Sequence, residues 1–309
     1  MTVNVGCGGK GVGRMKKYGV CILAAGTLWG LMGIFVRSLA AFGINASGTL
    51  TIRCGLAAVM FGITIFIRNK HFFCIKPKDL WVFFGSGIMS LLFFTYCYFT
   101  SMDIIGISMS AVLLYTAPSI VIILSRIIFR ERLTAIKVIA VIMAFIGCCS
   151  VSGIGTAGKI SFHGLMIGLG AGFGYALYSI FARLAMDRGY NGLTVNYYSC
   201  LLAAAGGALI WDPMPAVDAM TSSPGCFAMC VAAAALSCYL PYLLYTYGLS
   251  GTEAGKASVM ASVEMVVATL VGVLTFRERL TAAGVCGIAL VLGAIVLLNV
   301  RLEKRTVKK

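Results

Sequence analysis

The hexapeptide FRERLT at 129–134 occurs again at 276–281, which is 147 residues further along a chain of 309. A long apolar stretch precedes each copy, and another apolar stretch follows it. The tetrapeptide IFVR at 34–37 is matched by IFAR at 180–183, at an offset of 146. Two matches at nearly one offset indicate that the chain consists of two related halves.

The composition leaves too little polar surface for a protein that faces water on all sides. Hydrophobic residues make up 60 % of the chain and charged residues 11 %, and the mean hydropathy is +0.96. A soluble domain has about 25 % charged residues. Because the charges lie in short intervals between apolar runs, we predict an all-α integral membrane protein surrounded by the lipid bilayer.

Charge and cysteine content argue against several other classes of protein. The net charge of +15 would suggest nucleic acid for a soluble protein. Here the basic residues flank apolar segments, which is typical of membrane topology signals, so we expect no nucleic-acid partner. The 12 cysteines include no CxxC motif, which favours free thiols acting as small hydrophobes over disulfides or metal ligands.

Sequence signatures of enzymes and ATP-driven pumps are also missing. The chain has no GxxxxGKS, GxxxxGKT, GxSxG or HExxH motif. His71 and His163 are far apart in sequence and form no credible metal pair. We accordingly predict no catalytic residue, no metal site and no cofactor.

Apolar stretches long enough to cross a bilayer, which takes about 20 residues, divide the chain into ten predicted helices. They lie at roughly 18–38, 46–67, 80–101, 104–125, 135–152, 163–185, 193–211, 226–248, 254–275 and 281–299. The turn between the third and fourth is expected at Met102-Asp103. The predicted organisation is a basic tail (1–17), a first five-helix repeat (18–152), a second five-helix repeat (163–299) and a second basic tail (300–309).

Lysine and arginine positions predict the orientation of the bundle. With the N-terminus in the cytoplasm and ten spans, the cytoplasmic segments and helix ends hold 20 of the 25 Lys and Arg residues. The opposite side holds three, namely Lys159, Arg277 and Arg279. This excess predicts a multi-pass cell-membrane protein with both termini in the cytoplasm.

The same topology predicts that the halves are inverted relative to each other. Five spans per repeat is an odd number, so the second repeat enters the membrane from the opposite side. Such pairs are related by a pseudo-two-fold axis in the membrane plane, and their site lies at the interface between the repeats. Two alternative gates around one cavity are the physical basis of alternating access.

Several motifs carry a resemblance to a known family. They are Trp29-Gly30, Arg53, LYTAP at 114–118, FRERL at 129–133, EAGKAS at 253–258, Glu264 and FRERL at 276–280. In their order and spacing the chain resembles the EamA-type transporters, the ten-helix branch of the drug/metabolite transporter superfamily, over about residues 18–299. The resemblance implies ten transmembrane helices in two inverted repeats and transport of small metabolites, often export of amino acids or related compounds.

One position departs from the family pattern. The family commonly has Glu-Pro in the ninth span, whereas this chain has Glu264-Met265. Pro118 occupies the matching place in the first half. The resemblance therefore leaves open whether the second half has the backbone break that a proline produces, and whether gating differs.

Glu264 is the strongest candidate for a residue that binds substrate or a proton. It lies near the centre of the ninth span, where an ionised carboxylate is costly and usually faces the bundle interior or a cavity. Small residues at spacings of three and four share its face, which is typical of helix–helix contact. Glu264 is interpreted as a proton-coupling or amine-binding group; the alternative is a hydrogen-bonded structural acid.

Other candidates complete the predicted substrate-binding or coupling set. Arg53 carries a permanent charge inside the second span, which suits a substrate carboxylate, although it also suits pairing with a neighbouring helix. Tyrosine combines an apolar ring with a hydrogen-bonding tip, and the alternative there is an interfacial aromatic belt. The full set is Glu264, Arg53, Tyr96, Tyr115, Tyr178, Tyr242 and Trp29. Pro118 and Pro241 interrupt helical hydrogen bonding and are predicted hinges, or else static kinks.

The functional prediction is a secondary transporter that exports small metabolites, such as amino acids or related compounds, by alternating access, with proton coupling as an option. A broad exporter of cationic drugs is the alternative within transport. A membrane scaffold or embedded enzyme is the alternative outside it. The duplicated bundle can form its cavity as a monomer.

Overall fold

The computed structural model describes residues 8–152, 161–277 and 281–306. Parts of several predicted features lie outside these residues. They are the ends of both basic tails, most of the connection between the two repeats, and 278–280 in the second FRERLT. Every regular element in the described part of the chain is helical, which confirms the predicted all-α class.

The first repeat consists of five helical spans. Span 1 is α1 (Gly8–Gly30) with α2 (Met32–Ala41), and span 2 is α3 (Ala46–Arg68). Two short 3-10 turns, Lys70–Phe73 and Pro77–Asp79, lead into span 3, which runs through α4 (Leu80–Phe84), a π-helical segment (Gly85–Leu92) and α5 (Phe93–Ile105). Span 4 is α6 (Ile107–Leu114) with α7 (Ala117–Ile128), and span 5 is α8 (Ala135–Ser152).

The second repeat follows the same plan. Span 6 is α9 (Phe162–Asp187) and span 7 is α10 (Gly192–Ile210), followed by a connecting helix, α11 (Met214–Ser222). Span 8 runs through α12 (Pro224–Ala234), a π-helical segment (Ala235–Tyr239) and α13 (Leu240–Leu249). Span 9 is α14 (Ala254–Ala261) with α15 (Val263–Phe276), and span 10 is α16 (Ala282–Thr306).

Length and composition support all ten spans. Within the described residues, 8 helical segments are long and apolar enough to cross a bilayer. Two shorter apolar helices, Ala135–Val151 and Ala282–Leu298, occupy the fifth place of each repeat. The prediction of ten helices in two repeats is confirmed.

Equivalent turns in the two repeats have the same backbone geometry. Gly43 and Gly189, which are 146 residues apart, both end a helix with positive φ, at 84° and 89°. Two residues later, Asn45 and Asn191 begin the next helix, and each side chain accepts a hydrogen bond from a backbone N–H. A positive-φ glycine followed by an asparagine N-cap is a local stop-and-start signal, and its two occurrences support duplication.

Both FRERLT hexapeptides begin with the same unusual conformation. Arg130 and Arg277, the second residue of each copy, have φ values of 54° and 56°. A non-glycine residue with positive φ is uncommon. Both equivalent arginines adopt it, so the two hexapeptides begin with the same backbone conformation.

The backbone interruptions of spans 3, 4, 8 and 9 are also paired, whereas the break of span 1 at Leu31 has no counterpart in span 6. Span 4 breaks at Tyr115-Thr116, just before Pro118, and span 9 breaks at Ser262. Ser262 lies 147 residues after Tyr115, so the second half keeps the break although Met265 stands where the first half has proline. The π-helical segments of spans 3 and 8 are likewise at matching places. The break therefore does not depend on the proline.

One predicted boundary was wrong. The turn between spans 3 and 4 was expected at Met102-Asp103, but α5 continues through Ile105 and the chain turns at Gly106. Gly106 has φ 83°, a conformation that glycine adopts without the cost of a side chain.

The halves pack with two-fold pseudo-symmetry. Span 2 packs along span 7, and span 5 packs along span 10. Span 1 packs against spans 8 and 9, and span 6 packs in the same way against spans 3 and 4. Exchanging the repeats exchanges these contacts. Because each repeat has an odd number of spans, the second lies inverted in the bilayer.

One side of the bundle, which we call the basic face, carries the turns at 69–79, 129–134, 188–191 and 250–253. Here the Asp79 carboxylate accepts hydrogen bonds from Arg188 Nη1 at 2.5 Å and from the Tyr190 hydroxyl at 2.7 Å. Partial burial raises the pKa of the Tyr190 hydroxyl, so it remains a neutral donor. These bonds join the first repeat to the second at the membrane surface.

Candidate functional site

A cavity lies where spans 1, 3, 6, 8 and 9 meet. Its lining is mainly aromatic and hydroxyl-bearing: Trp29, Ser90, Leu91, Phe94, Tyr175, Tyr178, Ser179, Tyr242, Tyr245, Ser258 and Ala261. Its volume of about 20 Å³ is room for roughly one water molecule. Both repeats contribute, as expected for a site at the interface between inverted halves.

Three of the predicted site residues form the aromatic centre of this cavity. The rings of Tyr178 and Tyr242 pack edge to face at 4.7 Å between centroids. The Trp29 ring packs against Tyr242 at 5.2 Å. Edge-to-face packing fixes ring orientation and adds about 0.5–1.5 kcal/mol per pair to simple burial. The sequence therefore identified residues from spans 1, 6 and 8 that meet in the structure.

Buried polar side chains hold the tyrosines in place. The Tyr178 hydroxyl donates to Asn196 Oδ1 at 2.6 Å. Asn196, which is fully buried, in turn donates from Nδ2 to Thr246 Oγ1 at 3.1 Å. The hydroxyls of Ser179 and Tyr245 are 2.7 Å apart. Spans 6, 7 and 8 are thus joined by a polar network behind the cavity wall.

Glu264 lies beside the cavity, directly after the break in span 9. Its Oε2 accepts a hydrogen bond of 3.0 Å from the hydroxyl of Tyr175, a cavity-lining residue of span 6. Gly30 of span 1 packs against its backbone, since a Cβ added to Gly30 would lie 2.7 Å from the Glu264 carbonyl oxygen. Span 1 approaches span 9 this closely because glycine has no side chain, and the contact is to the backbone of Glu264.

Arg53 lies deep in span 2, with 7 % of its surface exposed. Its Nη1 donates to the Met32 sulfur at 2.8 Å, and its Nε has no hydrogen-bond partner. Its charge is close enough to interact with Tyr242 and Glu264, although no ion pair joins it to Glu264 in the described structure. A buried donor without a partner is unusual and calls for an explanation.

The structure does not bring the other predicted residues into the cavity lining. Tyr96 is 48 % exposed, and its ring lies beside the ring of Trp211 in a tilted arrangement. Tyr115 is buried at the break of span 4, in an apolar cluster with Met265 and Val266. Its hydroxyl is close enough to interact with the charge of Glu264.

The two predicted hinge prolines lie beside irregular backbone. Pro118 is in the first turn of α7, directly after the break in span 4. Pro241 is in the first turn of α13, directly after the π-helical segment of span 8. Both lie where helical hydrogen bonding is already interrupted.

The predicted set of site residues left out several lining residues, above all Tyr175. It lies three residues before Tyr178 in span 6, and residues three apart share a helix face. That spacing was a usable signal. Tyr245 has the same relation to the predicted Tyr242 in span 8. For Phe94 and Ser258 the sequence offers no comparable signal, because their burial depends on which face of each helix meets the other half. In the described part of the chain, no group of three or more His, Cys, Asp or Glu is placed to hold a metal ion.

Comparisons with known proteins agree with this architecture. An uncharacterized transporter of Archaeoglobus fulgidus is 28 % identical over 281 residues, covering 90 % of this chain and 96 % of the relative. The uncharacterized transporter YwfM of Bacillus subtilis (strain 168) is 23 % identical over 297 residues, covering 93 % of this chain and 95 % of the relative. One solved crystal structure matches the fold with a TM-score of 0.76 at 16 % identity, over 94 % of this chain and 98 % of that chain.

The family assignment covers both repeats. The pattern of the EamA-like transporter family matches the chain twice, at residues 17–153 and 162–300. The two matches together extend over nearly the whole duplicated bundle described above. The chain is therefore a multi-pass membrane transporter that belongs to the EamA-like transporter family.

Proposed function

We propose that the protein exports small zwitterionic metabolites, such as amino acids or related compounds, by alternating access coupled to protons. The observation that carries the proposal is the carboxylate of Glu264, held beside an aromatic cavity by Tyr175. An amine binds such a carboxylate, and aromatic rings favour cations above their faces. The same carboxylate takes a proton when the amine leaves.

Proton coupling depends on what faces Glu264. The charged or titratable groups near it are Tyr175 (span 6), Arg53 (span 2), Tyr98 (span 3), Tyr115 (span 4) and Cys148 (span 5). Arg53 is the one cation among them, and it is not paired with Glu264. An unpaired carboxylate inside a bilayer is costly, so each departure of a bound amine favours uptake of a proton.

Arg53 is proposed to bind the carboxylate of the substrate. Its buried Nε lacks a partner in the described structure, and an arginine presents donors in a fork that matches a carboxylate. Tyr242 lies between this charge and the cavity, since it lines the cavity and is also close to Arg53. Glu264 and Arg53 would thus hold the two ends of a zwitterion.

Binding requires the cavity to expand. Ligand pockets usually measure about 300–1,000 Å³, far above the roughly 20 Å³ present. The irregular backbone at Tyr115-Thr116 and Ser262, with Pro118 and Pro241 nearby, supports rocking of the repeats at these places. We therefore propose that the structure represents a contracted form of the transport cycle.

The excess of lysine and arginine on the basic face supports an orientation with this face and both chain ends in the cytoplasm. The proposed membrane is the cell membrane. The tails are proposed as 1–17 and 300–309, with repeats at 18–152 and 163–299. A monomer suffices, because the cavity is lined by both halves of one chain.

One observation favours the alternative of a cationic-drug exporter. The cavity lining contains six aromatic residues and lies beside a carboxylate, a combination that also suits organic cations. Arg53 separates the alternatives, because a cation without a carboxylate gains nothing from a nearby arginine. A non-transporting scaffold or enzyme would show no flux of either class.

The test is flux of labelled amino acids into liposomes that contain the purified protein, driven by a pH gradient. We expect Glu264→Gln to abolish pH-driven flux. Asp218→Asn, an exposed carboxylate on α11 far from the cavity, is the matched control and should keep normal flux. Full pH-driven flux in the Glu264→Gln protein would disprove the coupling role.

A further inference from the structure

The FRERLT turn of the first repeat reaches across to the second repeat on the basic face. Glu131 Oε1 accepts a hydrogen bond from the backbone N–H of Ala254 at 2.9 Å. Its other oxygen, Oε2, lies 3.4 Å from Lys137 Nζ. Lys137 Nζ also lies 2.7 Å from Glu253 Oε2. We call Glu131, Lys137 and Glu253 the latch.

The latch joins the first repeat to the second and does not join two parts of the same repeat. Glu131 and Lys137 belong to the first repeat, and Glu253 belongs to the second. The turn that carries Glu253 is fixed to its own repeat, because Arg183 Nη1 donates to the carbonyl oxygens of Leu249 and Thr252. Any movement of one repeat relative to the other on this face must therefore break the latch.

Burial makes the latch stronger than an ordinary surface ion pair. The side chains of Lys137 and Glu131 are only 9 % and 12 % exposed. Exposed pairs contribute little, whereas charge-assisted hydrogen bonds shielded from water contribute more. Lys256, which is also buried, lies close enough to interact with Glu253 and Lys137.

The latch connects directly to the cavity through α14. This helix begins at Ala254, which Glu131 holds, and carries Ser258 and Ala261 in the cavity wall. Ser258 is four residues after Ala254, about 6 Å along the helix axis. The helix then breaks at Ser262, two residues before Glu264. Release of the N-terminal end of α14 would thus expose one wall of the cavity to the basic face.

We propose that the latch closes the route between the cavity and the basic face and must open in each transport cycle. Glu131, Lys137 and Glu253 are positioning residues in this account, since none of them lines the cavity. The inference rests on the proposed alternating-access function, and it adds that the first-repeat FRERLT is a moving part of the gate.

The test measures access to the cavity separately from each face. Ser258→Cys is labelled with a membrane-impermeant methanethiosulfonate reagent, in sealed vesicles of either orientation. The same chain without Ser258→Cys gives the background from native cysteines. We expect Glu131→Gln to raise labelling of the Ser258→Cys thiol from the basic face by about tenfold, because charge-assisted hydrogen bonds are lost. Labelling from the opposite face should be unchanged or lower.

Two further variants keep the test decisive. Glu253→Gln removes one arm of the latch at a residue whose side chain is 54 % exposed, so it should fold, and we expect a smaller rise on the same face. Asp218→Asn changes an exposed carboxylate outside the latch and should change nothing. Unchanged labelling in both latch variants, or an equal rise from both faces, would overturn the proposal.

The flux assay separates this outcome from failure of the proposed function. If the parent protein transports substrate but the latch variants label like the parent, transport stands and the latch is wrong. If the parent carries no flux while labelling rises from the basic face alone, the latch stands as a barrier and the proposed substrate or coupling is wrong.

Discussion

Side chains at the centre of the bundle combine two tasks, packing the core and presenting polar groups. Tyr178 illustrates both, since its ring lines the cavity while its hydroxyl is bound by Asn196 behind the wall. Glu264 and Arg53 differ from it, because each carries a charge into a region where charge is costly. Those two residues are therefore where substitution should alter transport more than folding.

Asn196 provides a prediction about stability. Asn196→Leu keeps the approximate volume but leaves the buried Tyr178 hydroxyl without its acceptor. We expect a loss of about 1–3 kcal/mol in the free energy of unfolding, measured by thermal denaturation in detergent. Thr100→Val removes only a bond to the carbonyl of Tyr96 in its own helix and is the control. Equal stability of the two variants would contradict the network described here.

Arg53 provides a prediction about specificity. Arg53→Gln removes the charged donors offered to a substrate carboxylate. We expect KM for amino acids to rise by about 10–100-fold, while transport of the corresponding amines, which lack the carboxylate, is unchanged. An unchanged KM for amino acids would show that Arg53 is a structural cation and would favour the cationic-drug alternative.

Helices and turns show how the sequence produces the repeat. Gly43 and Gly189 adopt positive φ, and an asparagine N-cap follows two residues after each glycine. A segment of three residues therefore specifies each turn. Span breaks and π-helical segments are less visible in the sequence. Ser262 interrupts span 9 without a proline, so the residue type does not mark this break in the sequence.

The two turn glycines give a paired prediction. Gly43→Ala and Gly189→Ala should each cost about 1–2 kcal/mol, because a Cβ is strained at positive φ. Nothing lies within 4 Å of a Cβ added at either position, so the cost is in the backbone alone. Gly33→Ala, inside α2 and equally open, is the control and should be neutral or stabilising by up to about 1 kcal/mol. Thermal denaturation of all three variants tests the comparison, and equal midpoints would contradict it.

The sequence predicted the transmembrane spans but only part of the residues that line the site. Apolar runs and helix-breaking residues located the helices. The clearest error was the turn expected at Met102-Asp103, which lies at Gly106. Tyr178 and Tyr242 were found because aromatic residues with polar tips are informative inside a bilayer, and Trp29 was found because Trp29-Gly30 is part of the family resemblance. Tyr96 was predicted to belong to the site, but it follows the π-helical segment of span 3. Each extra residue in such a segment rotates the following face by about 100°, which the sequence does not reveal.

The complete bundle supports the proposal that one chain suffices for a gated site. Two copies of one five-helix plan pack face to face, and the contacts of spans 1 and 6 with the opposite half are exchanged by the pseudo-two-fold axis. Symmetry of this kind gives two related closed states at similar free energy, which alternating access requires. The account therefore depends above all on the second half being inverted in the bilayer.

Tagging the two FRERLT turns tests that inversion most directly. A short epitope is inserted after Ile128 in one variant and after Thr275 in another, and antibody access is measured on sealed cells and on permeabilised cells. The inverted arrangement predicts that the two tags are reached from opposite faces of the membrane. If both tags are reached from the same face, the two halves are not inverted and the central claim is wrong.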